Sequence, residues 1–232
     1  MRIPGIPTSL LLSCLVVGGW AHAIAASQPT VPGAAAAPVE AGTLYVKHHR
    51  ETIEGRLSAC GLEFAAVAID HSTRRGAPVK LAGRYELRAW PQGGPGYSLK
   101  LGLYDGLAWE HPVAPHHAAV RAPHGPMPRR PLRLDASNPG HALFFDALDD
   151  SFSATFRSMV VDRTFVIAFN RAAGEQDVSA VIDLQVAGTR TLDGRTTQTL
   201  TTETGDAFRA CADELFKGFH PPAPATRPQR SL

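Results

Sequence analysis

Several things are missing from this 232-residue chain, and each absence narrows what it can be. Formal charge is only +2, with no long run of either sign, so there is no electrostatic footprint for nucleic acid. Outside the N-terminus no stretch approaches the ~20 apolar residues of a membrane-spanning helix. No Gly-x-Ser-x-Gly elbow presents a serine nucleophile. Gly93-Gly94-Pro95-Gly96 lacks the lysine and hydroxyl of a phosphate loop and lies between strand patterns instead of opening a helix. No motif implies a cofactor. Cysteine is scarce, at three residues. What is present is a 44% apolar composition, enough for one domain with a real core.

The N-terminus reads as an export signal over residues 1–26. Arg2 supplies a minimal positive start, Leu10 to Trp20 is mostly apolar, and Ala21-His22-Ala23 and Ala23-Ile24-Ala25 offer small-residue cleavage sites. Leu11-Leu12-Ser13-Cys14 resembles a lipoprotein cleavage box, but the apolar run continues through Leu15-Val16-Val17, which favours ordinary cleavage. Removing residues 1–26 takes away Arg2 and Cys14 and leaves a charge of +1. The expected location is therefore periplasmic or secreted, with no transmembrane span after cleavage. Two cysteines remain, Cys60 and Cys211, and in an oxidising compartment such a pair is expected to form a disulfide.

Residues 27–41 form an Ala/Pro-rich flexible linker and residues 220–232 a Pro- and Arg-containing disordered tail. Between them, 42–219 reads as a single α+β domain. The clearest stretch is Thr164 to Ala187, where apolar residues alternate on both sides of a Gly174-containing break, as in an antiparallel hairpin. Val79 to Trp90 and Tyr97 to Leu103 make a second hairpin around a Pro/Gly turn. Gly61 to Asp70 predicts a buried strand, His141 to Phe145 a short one, and Thr196 to Thr202 another. The spacing of Tyr45, His49, Ile53, Arg56, Leu57 and Cys60 predicts a short helix over His48 to Ala59. Ser151 to Val160 predicts a central helix, with Asp149 and Asp150 at its favoured acidic end. Asp206 to Phe219 predicts a closing helix with Phe208, Cys211, Ala212, Leu215, Phe216 and Phe219 on one stripe. The expected fold is an antiparallel β-sheet, able to curl into a sandwich, packed by the C-terminal helix and the short central one.

Two surfaces could carry function. Residues 110–140 form a Pro/His-rich loop holding His111, His116, His117 and His124. Imidazoles grouped in this way can bind Zn or Cu, although the spacing matches no standard site and the prolines hinder convergence. The strand faces carrying Lys80, Arg84, Arg88 and Lys100 form a possible anion-binding face, moderated by Glu86. Asp146, Asp149, Asp150 and Asp162 are plainer as residues at helix ends than as a carboxylate site. The leading expectation is a non-catalytic binding or accessory domain acting through its surface on an unidentified protein or envelope component, with no nucleic acid and no cofactor. The alternative is a hydrolase or metal-dependent enzyme with its site in the His/Pro loop, which a convergent His/Asp pocket would favour. The export signal has a direct check: the mature protein should begin between Ile24 and Gln28, and N-terminal sequencing that finds Met1 or a lipidated Cys14 refutes it.

Overall fold

A two-residue turn sets the start of the fold. Glu54 and Gly55 both take positive φ, at 51° and 75°, the geometry that lets a tight hairpin follow the strand twist. It joins β1 (Gly42–Ile53) to β2 (Arg56–Asp70). The structure, a computed structural model, describes residues 40–90, 94–106, 109–126, 128, 130–192 and 195–217. The expected export signal, most of the expected linker, the expected tail, Phe219, residues 91–93 of the expected Pro/Gly turn, and residues 193–194 lie outside the described residues.

This hairpin corrects the helix expected over His48 to Ala59. The proposed stripe mixed Arg56 and His49 with apolar residues, so it offered a helix little to bury. In the strand reading, Val46 is buried while Lys47 and Glu51 point outward. The apolar run of β2 also needs a hydrogen-bonding neighbour on each side, and β1 supplies one from Gly42↔Val67 to Ile53↔Arg56.

β3 (Ala77–Trp90) and β4 (Gly94–Asp105) form the expected hairpin. Within the Pro/His segment, β5 (His117–Arg121) and β6 (Leu132–Asp135) are short strands between prolines. β7 (His141–Ala147) then leads to α1 (Asp150–Arg157), where Asp149 caps the helix by accepting from the Phe152 amide at 3.1 Å. A single π-helical turn, Ser158–Asp162, ends on Arg163 in the left-handed conformation. β8 (Thr164–Asn170) pairs with β9 (Val178–Asp183), confirming the central hairpin. That second strand stops earlier than the alternation suggested. Val186 opens β10 (Val186–Leu192), which pairs with β11 (Arg195–Leu200), and α2 (Glu203–Lys217) closes the described chain.

The strands form a six-stranded antiparallel sheet in the order β1-β2-β3-β4-β7-β6, a three-stranded sheet β5-β8-β9, and the β10-β11 ribbon. Phe64 and Tyr85 on the large sheet meet Phe165 on the small one at ring-centroid distances of 5.8 and 6.1 Å. Phe208 of α2 joins them, 6.3 Å from Tyr85. The architecture is thus α+β, with two sheets face to face and α2 packed on the shared core. Thr43, at a bulge in β1, links all three sheets. Its hydroxyl donates to the Val181 carbonyl and accepts from the Asp183 amide, while its carbonyl accepts from Thr189 Oγ1 and Gln198 Nε2.

Cys60 and Cys211 are both buried and disulfide-bonded, tying β2 to α2 across a sequence separation of 151. At the far end of β2, Asp70 is buried and accepts from the amides and hydroxyls of Ser72 and Thr73. Burial pushes its pKa up, but these four hydrogen bonds outweigh it and hold the pKa down at about 2.

Two outcomes follow from these clamps. Loop-closure entropy puts the disulfide at about 5 kcal/mol, comparable with a small domain's whole net stability of roughly 5–15 kcal/mol. Cys60→Ala or Cys211→Ala should therefore lower the unfolding midpoint sharply, with the double variant little worse than either single one. Two free thiols per chain in the unfolded, unreduced protein would count against the bond. For Asp70 the folded pKa lies below the unfolded value of about 3.9. Its stabilisation, roughly 2 kcal/mol, is complete at neutral pH and fades as pH falls through about 4 toward 2. Asp70→Asn should cost about that much at pH 7 and much less near pH 2. Urea melts that show the same wild-type advantage at both pH values would exclude this role.

Candidate functional site

Strand register decides which side chains share the outer face of the large sheet. Three successive rows run across it. His49, Gly61, Glu86, Ser98 and Phe145 align in the first, and Lys47, Glu63, Arg84, Lys100 and Leu143 in the second. Tyr45, Ala65, Ala82, Gly102 and His141 make the third. The third row has a floor of very small residues between two rings. The result is a cleft of about 230 Å³ lined by Tyr45, Glu63, Ala82, Gly83, Arg84, Lys100 and His141. Gly102 is part of its geometry, because a Cβ there would lie 2.7 Å from Nε2 of His141. The glycine lets the imidazole fold flat across β4.

Charge in the cleft is uneven. Arg84 and Lys100 sit directly opposite each other on β3 and β4, an arrangement of like charges that costs stability unless something lies between them. Arg84 is 3.7 Å from the Glu63 carboxylate, and the Lys100 ammonium donates to neutral Asn138 Oδ1 at 2.7 Å. Burial, followed by the Glu63 carboxylate, raises the pKa of the Tyr45 hydroxyl, so it stays protonated as a donor.

Beside the cleft, His49, Glu51 and Glu86 bring one nitrogen and two carboxylate oxygens within 4.8 Å of one another. Glu86 is only 6% exposed. Its stem lies over Gly61, where a Cβ would come within 2.8 Å of Glu86 Cγ. Arg88 holds the two acids together, donating to Glu86 Oε2 through Nε and Nη2 and to Glu51 Oε2 through Nη2. Glu86 Oε1 has no hydrogen-bond partner and stands 3.5 Å from His49 Nε2.

The four cations expected on this face have different surroundings. Arg84 and Lys100 flank the cleft, whereas Arg88 is paired with two carboxylates. Lys80 departs most from an open basic face. It is 2% exposed, with its ammonium 3.5 Å from the centre of the Trp109 ring, and burial lowers its pKa. The indole that covers it stands just before the Pro/His-rich loop, outside any strand, so strand periodicity could not reveal it.

The loop histidines do not converge. His111 and His124 are exposed. His116 Nε2 is 3.0 Å from Arg130 Nη2, and His117 Nε2 is 3.7 Å from Asp177. Burial lowers the His117 pKa, partly offset by Asp177. Among the described residues, the only trio of possible metal ligands is His49, Glu51 and Glu86, none of them in the loop. Tyr45, Glu63, His141 and this trio were all missed as site residues. Reading β1 as a helix removed half of them from the sheet face. Gly61 and Gly102, each inside a strand pattern, were the available signals of side chains lying close across the backbone.

Among the described residues no helix is long and apolar enough to cross a membrane. Compared with known protein families, curated proteins and solved structures, the chain matches none of them.

Proposed function

We propose that this protein is an exported, non-catalytic binding domain that uses the outer-face cleft to take an anionic group, a carboxylate or phosphate, carried by an envelope component. The observation that carries this reading is the direct juxtaposition of Arg84 and Lys100 at a cleft whose lining includes the small residues Ala82 and Gly83. An anion between them would relieve their repulsion and accept charge-assisted hydrogen bonds from both. Tyr45 and His141 at the two ends supply ring faces and further polar atoms, which suits a polymer or headgroup larger than a free ion. The disulfide supports an oxidising compartment, as does the leader pattern of residues 1–26.

Charge-assisted contacts of this kind are worth about 1.5–3 kcal/mol each. Arg84→Glu combined with Lys100→Glu should therefore weaken capture of envelope fragments by tenfold or more. Added salt should weaken wild-type capture but have less effect on the variant. Glu63→Gln should leave capture equal or stronger. Undiminished capture by the double variant, with its melting temperature unchanged, would move the binding surface elsewhere.

A further inference from the structure

We infer that His49, Glu51 and Glu86 form a binding site for a divalent transition metal ion of the zinc type, on the outer face of the large sheet and distinct from the anion cleft. The inference stands whether or not the cleft binds an anion. It begins with Glu86 Oε1, a carboxylate oxygen on a residue only 6% exposed and without a hydrogen-bond partner. Burying such an oxygen without a hydrogen bond is costly, and its charged neighbours are His49 Nε2 at 3.5 Å and Arg84 Nη1 at 3.7 Å. A cation between the two atoms would pair with the carboxylate and with the imidazole nitrogen in its acceptor tautomer. A separation near 3.4 Å is also the edge of a tetrahedron whose metal-to-ligand bonds are about 2.1 Å, the distance for zinc with nitrogen and oxygen ligands.

The surroundings are those of a supported ligand set. Arg88 engages Glu51 Oε2 and Glu86 Oε2 together, which fixes both carboxylates and leaves Glu86 Oε1 aimed at the histidine. Outer contacts of this kind orient metal ligands. Gly61 leaves room for the Glu86 stem to lie across β2. His49 and Glu51 are half-buried, so the site can be reached from solvent.

Arg84 is the built-in competitor. Its Nη1 lies 3.5 Å from His49 Nε2 and 3.7 Å from Glu86 Oε1, too long for strong bonds but close to where the ion would sit. Metal entry requires Arg84 to swing toward Glu63, whose carboxylate is already 3.7 Å away. Removing Arg84 should therefore tighten metal binding, while the proposed function has the same change weaken anion capture. The two readings can fail separately.

The test is titration of the disulfide-intact protein with Zn²⁺ alone, and with Co²⁺ alone for its visible absorption. The wild type should bind one equivalent and show the intense bands of four-coordinate cobalt. His49→Ala should lower the affinity at least tenfold and remove the bands. Glu86→Gln should do the same, and because Glu86 is buried its melting temperature is compared first. Arg84→Gln should raise the affinity several-fold, and His116→Ala with His117→Ala should leave it unchanged. Equal affinity in wild type and a folded His49→Ala variant overturns the site. So does affinity that follows the His116 and His117 pair instead, or no binding below millimolar metal.

Discussion

The contact on which the rest of the molecule depends is the meeting of Phe64 and Tyr85 with Phe165 and Phe208. One pair comes from the large sheet, the third ring from the small sheet, and the fourth from the last helix. Neither sheet can leave its inner face in water, and each covers the other. The Cys60–Cys211 bond ties the same helix covalently to β2, the strand paired with the β3 that carries Tyr85. Thr43 does in hydrogen bonds at the opposite side what the rings do by burial, holding the edges of the sheets together. With the inner faces committed in this way, the outer face of the large sheet is left to carry polar chemistry.

That outer face is organised by residue size as much as by charge. Ala65, Ala82 and Gly102 keep one row low between Tyr45 and His141, and Gly61 keeps Glu86 pressed against the neighbouring strand. The low row leaves a cleft, and the pressed carboxylate leaves an oxygen that water does not reach. Arg84 borders both features, facing Lys100 on one side and His49 on the other. Its position couples cation and anion preferences within a few ångströms.

Much of the fold was legible in the sequence where one face of an element is apolar. The β3–β4 and β8–β9 hairpins, the capped α1 and the stripe of α2 all declared themselves by period. The disulfide was legible because exactly two cysteines lie outside the expected export signal. β1 was not legible, because an edge strand with Lys47, His48, His49, Arg50 and Glu51 in succession has no clean apolar alternation. It is a strand because β2 needs a hydrogen-bonding partner, a requirement its own residues do not display. The site suffered from the same blindness. Arg84 and Lys100 could be placed on an outer face, but Tyr45, His49 and Glu51 belong to β1, and His141 reaches the cleft only through pairing with Gly102.

The sequence by itself determined the class of object: an antiparallel α+β domain with an export-like leader pattern, one cysteine pair, and polar outer strands. Burial of apolar area is a local property of composition and period, so it can be read one segment at a time. Only the tertiary structure decided that Lys80 lies under Trp109, that the four loop histidines stay apart, and that His49 meets Glu86. Those outcomes depend on register between strands distant in the chain, and a shift of one residue sends every side chain of a strand to its opposite face.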